Sequence, residues 1–181
     1  MWVNNLKLLK MPTGSGIKEV NVKYTLDESI NLILKIFSNT EQHLEIIIDH
    51  DWLCHLVENA SILRLFRKLK LRNIDIKIVV EIDKKSANYS KRLMKFSDIR
   101  HSDDLEGCSF RNEHSYCFCH FSRNDLSDLE QEIEPMEKLT QFFYVDNRNF
   151  VNQQDSLFKH LWGDSVPARE KITEIEKGCH Y

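Results

Sequence analysis

The chain is 181 residues long, enough for one domain with a real core, and it is 41% hydrophobic and 29% charged. Its 25 Lys and Arg against 28 Asp and Glu give a formal net charge of −3, which argues against the basic footprint of a nucleic-acid binder. No apolar run approaches the ~18 residues of a membrane span, and residues 1–10 lack the apolar centre and small-residue cleavage site of a signal peptide.

The expected location is therefore cytoplasmic. An odd count of five cysteines fits reduced thiols there better than a disulfide framework. Five glycines and three prolines leave little room for low-complexity linkers.

Residues 1–24 are loosely patterned and read as an N-terminal extension, with a turn at 11–16 and a short extended piece at 20–24. Thr25 and Glu28 then form a capping box, and Leu26, Ile30, Ile33, Leu34 and Phe37 repeat at helical spacing. Residues 44–48 are apolar and β-branched, as in a buried strand. Asp49-His50-Asp51 follows, with Asp51 expected to cap one long helix over 52–71. Arg64, Arg67, Lys68, Lys70 and Arg72 on that helix read as a solvated face rather than a phosphate-binding surface. Strict alternation from Ile74 to Ile82 predicts a second strand, and 87–96 returns to helical spacing.

The second half changes character. Residues 107–111 and 115–121 read as a hairpin, 124–138 as an acidic loop or short helix, and 141–145 as a further strand. A last helix opens near Asn149, is interrupted by Pro167 and resumes over 168–177 until Gly178. The fold class is α/β, with a mixed sheet flanked by helices and a long C-terminal helix. The helical crossover makes the first two strands parallel, and the later ones add antiparallel or mixed edges. The expected division is an extension over 1–24, an α/β sensor domain over 25–163 and a C-terminal signalling or linker helix over 164–181.

Two stretches carry a family resemblance. The first runs from Glu81-Ile82-Asp83-Lys84-Lys85 through Asn88-Tyr89 and Lys91-Arg92-Leu93-Met94-Lys95 to Arg100-His101 and Gly107. The second begins at residues 141–144 and continues through Phe150-Val151-Asn152-Gln153-Gln154, Leu157-Phe158, Leu161-Trp162 and Val166-Pro167-Ala168. It closes on Lys171-Ile172, Glu174-Ile175-Glu176 and Gly178. Both resemble the sensory input region of thaumarchaeal histidine-kinase-type signalling proteins, over roughly residues 20–178.

The resemblance implies half of a phospholipase-D-like α/β domain, the fold also of the effector domain of TrmB-type archaeal regulators. It further implies a final helix that leads to a signalling output. The family's phospho-accepting helix and ATP-binding domain do not follow here, so a stand-alone module and a fragment both fit.

Catalysis by that fold needs His-x-Lys-x(4)-Asp, with histidine as nucleophile and lysine on the phosphate oxygens. No histidine has a lysine two positions later, and His114-Ser115-Tyr116 carries tyrosine in its place. The chain is therefore expected not to be an enzyme. Gly14-Ser15-Gly16 lacks the Gly-Lys-Ser/Thr of a phosphate loop, and no glycine-rich kinase lid exists.

Asp49, His50 and Asp51 close the first strand, and Glu81 and Asp83 close the second, with Arg100 and His101 expected on the same rim. Ligands bind at such strand ends in open α/β sheets, and helix capping is the competing explanation. Cys108, His114, Cys117, Cys119 and His120 are dense enough in soft ligands for zinc or copper. Against this, the cysteines also suit small core fillers, since the related proteins place small or apolar residues there.

The functional expectation is a non-catalytic sensor or regulatory module of archaeal two-component type, without a cofactor, passing a signal through its C-terminal helix. Its partners would be a downstream kinase-type output domain or another protein, with a small-molecule ligand and a homodimer also allowed, and neither nucleic acid nor a membrane span. The alternatives are an effector or partner domain of a TrmB-like transcription regulator, and a metal sensor built on the Cys/His hairpin.

Overall fold

In the computed structural model, residues 22–121 and 139–178 are described. The acidic stretch at 124–138 and the turn at 11–16 lie outside them. Strand β1 (Val22–Thr25) runs directly into helix α1 (Leu26–Ser38). The capping box forms as expected: Thr25 Oγ1 accepts from Glu28 N–H while the Glu28 carboxylate accepts from Thr25 N–H. The boundary placed at residue 25 therefore cuts a strand that pairs antiparallel with β7 (Leu139–Val145).

Strands β2 (His43–Ile48) and β3 (Asp75–Val80) are parallel, with Leu44, Ile46 and Ile48 beside Ile76, Ile78 and Val80. The single helix expected between them is two, α2 (His50–Glu58) and α3 (Ala60–Leu71). Asn59 breaks it by taking an extended conformation and accepting from Ser61 N–H and Ile62 N–H. An Asn side chain competes for helical N–H groups in this way, and the break leaves Ile62, Phe66 and Leu69 on the buried side of α3.

After α4 (Ala87–Leu93) comes a strand that no alternation in the sequence reveals, β4 (Asp98–His101), parallel to β3. The hairpin β5 (Cys108–Arg111) and β6 (Tyr116–Phe121) follows, antiparallel to β2 and to β7. Helix α5 (Arg148–Asp164) leads to the two-residue β8 (Val166–Pro167), which pairs with β4, and to α6 (Ala168–Gly178). Pro167 is tolerated because β8 is the sheet edge.

The eight-stranded mixed sheet has the order β1-β7-β6-β5-β2-β3-β4-β8. Register places Leu44, Ile46, Ile48, Ile78, Ile99, Cys108, Phe110, Cys117 and Phe142 on one face. This core face packs against the buried sides of α1, α2 and α3, where Phe37 meets Phe66 and Phe110 edge-on at 5.8 and 5.4 Å. The opposite face, with Glu45, Val79, Arg100, Arg111 and Tyr116, receives α5.

Helix α6, expected as a signalling linker, packs on the domain. Ala168 and Ile172 join the core, Ile175 lies against it, and Glu176 pairs with Lys91 of α4. Its apolar positions find their cover within this chain. No described helix is long and apolar enough to cross a membrane.

Candidate functional site

The strand ends gather the rim residues, but most of them have structural duties. Asp49, not Asp51, caps α2: its Oδ1 accepts from Trp52 N–H at 2.8 Å and its Oδ2 from Gly107 N–H at 2.7 Å. Asp49 N–H in turn donates to the Gly107 carbonyl at 2.9 Å, closing a reciprocal clamp between β2 and β5. Gly107 has φ 73°, a conformation that only glycine adopts without strain, which fixes the residue type at this clamp. Burial raises Asp49 above its ordinary value of 3.8, although the two N–H donors pull the other way.

Asp83 is committed as well. Its Oδ1 accepts from Ser86 N–H at 2.6 Å and from Ser86 Oγ–H at 2.7 Å. Burial alone would raise this carboxyl, but the Ser86 bonds and the charge of His50 outweigh it and hold it below 3.8.

Arg100 and His101 do not face one rim. Adjacent strand residues point to opposite faces, and Arg100 crosses to the α5 side. There it donates to the carbonyls of Trp162 at 2.8 Å and Ser165 at 3.3 Å and lies 5.0 Å from the Trp162 ring centre. His101 is only 4% exposed, and its Nδ1 accepts from Ile82 N–H at 3.0 Å. The same nitrogen lies 3.3 Å from the Val80 carbonyl. Nε2 lies 3.1 Å from Asp103 Oδ1 but is not aligned for a hydrogen bond, so the contact is electrostatic.

The rim groups that remain available are therefore His50, Asp51 and Glu81. The His50 ring sits between the two carboxylates, Nε2 3.4 Å from Asp51 Oδ1 and Nδ1 3.7 Å from Glu81 Oε2. A small polar ligand would meet this trio at the strand ends. A cleft of about 250 Å3 opens at the other end of the strands, beside Lys70, Asn73, Asp75 and Asp98.

The Cys/His hairpin is brought together only in part. Cys108 and Cys119 are directly paired across β5 and β6, and Cys117 faces Phe110. All three thiols are buried, and burial pushes Cys108 and Cys117 well above the ordinary thiol range, which opposes the thiolate that metal binding and redox chemistry need. His114 sits apart in the turn, exposed, with Nε2 3.8 Å from Glu41 Oε1. His120 lies on β6 beside Gln141, and its side chain is outside the described residues. Among the described residues no three His, Cys, Asp or Glu side chains converge on a point that would hold a metal.

The turn itself is built by Asn112, whose Oδ1 accepts from the N–H groups of His114 and Ser115, each at 2.9 Å. Tyr116, in the lysine position of His-x-Lys-x(4)-Asp, is half-buried and packs edge-on against Phe150 at 5.6 Å. The aspartate position of that motif falls on Phe121.

Two polar constellations carry no clear signature in the sequence. Buried Arg111 donates from Nε to Glu45 Oε2 and from Nη2 to Asp155 Oδ1, both at 2.7 Å, and Asp155 also accepts from Lys159. Burial outweighs Arg111 at Glu45 and raises its carboxyl. At Asp155 burial also acts upward, but the Lys159 bond and the Arg111 charge prevail and lower it. The second is Glu113, whose carboxylate accepts from the N–H groups of Glu41, Gln42 and His43; they overcome burial and lower it. The one available signal is Glu45 itself, a lone charge inside the apolar run 44–48.

No family model and no curated protein matches the chain. Solved structures do. Nuc from Salmonella typhimurium, a phospholipase D family member, superposes with a TM-score of 0.59 at 9% identity, over 81% of this chain and 95% of Nuc. TrmBL2, an archaeal chromatin protein described with a novel mode of DNA binding, matches at 0.53 and 12% identity. That match covers 90% of this chain, which spans 57% of the TrmBL2 chain. Polyphosphate kinase from Porphyromonas gingivalis matches at 0.53 and 16% identity, over 83% of this chain and 27% of the kinase. The likeness at these identities is one of fold. This is a phospholipase-D-like α/β domain with a mixed sheet, flanking helices and a C-terminal helix.

Proposed function

We propose that this phospholipase-D-like domain is a non-catalytic sensor or regulatory module of the kind that feeds archaeal two-component-type signalling. A ligand or protein partner biases how the C-terminal arm, α5 to α6, sits on the sheet, and the arm passes the change to a kinase-type output domain or a partner protein. The observation that carries the reading is the His114 hairpin. Counted from His114, the lysine and aspartate positions of the catalytic motif hold Tyr116 and Phe121, and Tyr116 is engaged in packing on Phe150. A ring in that place offers no cation to hold a phosphate oxygen. The arm's attachment through Arg100 and Arg111 supports the second half of the reading, because directional contacts can be made or broken as a set.

A second reading, an effector or partner domain of a TrmB-like transcription regulator, is favoured by the likeness to TrmBL2 over 90% of this chain. Both readings share the absence of catalysis. The test is one preparation, purified without chelator or affinity metal, assayed on bis(p-nitrophenyl) phosphate and weighed by native mass spectrometry. No hydrolysis above buffer and no stoichiometric metal are expected. Hydrolysis that disappears in His114→Ala would make the chain an enzyme. Zinc or copper lost from Cys117→Ser and Cys119→Ser would make the hairpin a metal sensor.

A further inference from the structure

Helix α3 carries the densest unspent charge among the described residues. Its twelve residues, ASILRLFRKLKL, contain no acid, and Arg72 follows directly as its C-cap. The Lys and Arg side chains that form ion pairs among the described residues are Lys77, Lys91, Arg111 and Lys159, none of them on α3. Arg72 is occupied by the Thr40 carbonyl at 2.9 Å, and Arg64 reaches only Ser61 Oγ of its own helix. Arg67, Lys68 and Lys70 have exposed side chains and no carboxylate partner there.

The spacing organises these charges. Positions 64, 67, 68 and 71 follow i, i+3, i+4, i+7, so Arg64, Arg67, Lys68 and Leu71 form one stripe. Ile62, Phe66 and Leu69 form the buried side opposite, which turns the stripe outward. Leu71 is 77% exposed, more than the exposed Leu157 at 61% or Val166 at 43%, and it stands amid the cations.

We propose that this stripe of α3 is a docking surface for an acidic amphipathic helix of a partner protein. The cations meet Asp or Glu along its edges, and Leu71 enters its apolar ridge. The observations favour this occupant over three others. Pairing α3 with α3 of a second copy would set like charges against each other. A nucleic-acid backbone would leave Leu71 against phosphates, and one leucine gives a membrane surface little apolar area to hold. Two facing helices of this length make a small, transient interface that is sensitive to salt. None of the residues substituted in its test belongs to the His114 hairpin, so the test does not depend on the outcome at that site.

The probe is a labelled helical peptide of about 20 residues with glutamates flanking a row of leucines, alongside a twin with serines for leucines, followed by fluorescence polarisation. Binding of the leucine peptide is expected to weaken about tenfold or more in Arg67→Glu/Lys68→Glu and several-fold in Leu71→Ser. The serine twin should bind several-fold more weakly to the parent chain. Circular dichroism melts of these exposed-site variants should match the parent, separating docking from folding. Equal binding of both peptides with no effect of Leu71→Ser would reduce the surface to counterion attraction and overturn the proposal. No peptide binding would overturn it, as would tighter capture of duplex DNA or phosphatidylserine vesicles that is lost in the same charge-reversal variants.

Discussion

The core face and the α5 face of the sheet lie a strand's thickness apart, yet they are covered by different chemistry. On the core face, α1, α2 and α3 bury Phe37, Trp52, Phe66 and their neighbours against aliphatic strand residues. On the other, Val79, Val145, Val151 and Phe158 supply a smaller dry patch, and Arg111 with Glu45 and Asp155, and Arg100 with Trp162, do the positioning. Apolar packing is strong but non-directional, so it stabilises without fixing one geometry. A buried ion triad adds little net stability once desolvation is counted, but it specifies where a helix lies. The difference places stability on one face and the position of the C-terminal arm on the other.

The largest effect should come from the core face. Phe37→Ala removes a fully buried ring that touches Phe66 and Phe110 and should cost about 3–5 kcal/mol in urea unfolding. A loss near 1 kcal/mol would mean that the core collapses into the gap and that the two faces differ less in stability than their chemistry suggests.

On the α5 face the informative measurement is a cycle. Arg111→Met leaves the Glu45 carboxylate buried without its partner and should cost about 3 kcal/mol, while Arg111→Met with Glu45→Leu should recover most of it. Equal losses in the single and double variants would show that the triad stabilises the domain outright.

The smallest effect is a pH profile. Burial raises Glu45 above 4.5, so its contribution is full below that value and declines as pH rises through the folded value. Asp155 is lowered below 3.8, so its contribution is present above that value and disappears on acidification. Urea midpoints between pH 4.5 and neutrality should therefore decline less in Glu45→Gln than in the parent. A parallel decline would assign the slope to another group.

Much of the fold is legible in the amino-acid sequence, and the reasons lie in particular residues. Thr25 and Glu28 start α1 through contacts three residues apart, and the apolar runs 44–48 and 74–82 carry their strand character locally. The break at Asn59 is hidden because helical periodicity continues on both sides, and only the Asn side chain, turned onto Ser61 and Ile62, ends one helix and begins another. At the rim His50 lies between Asp51 and Glu81, but Arg100 leaves for the other face. The spacing of two adjacent residues does not show which of them faces inward.

Local chemistry in the sequence determined the capping box, the parallel pair β2 and β3 and the β5–β6 hairpin. Tertiary structure alone decided the rest. β4 and β8 are too short to carry a pattern; β4 exists as a strand because β3 offers an edge, and β8 because β4 does. Asp49 became a clamp because Gly107, 58 residues away, presents its N–H, and Glu45 became half of a triad because Arg111, 66 residues on, arrives beside it. Periodicity records which side of an element is apolar, but the partner of a buried charge is set only when distant segments meet, since desolvation penalises that charge until the partner is there.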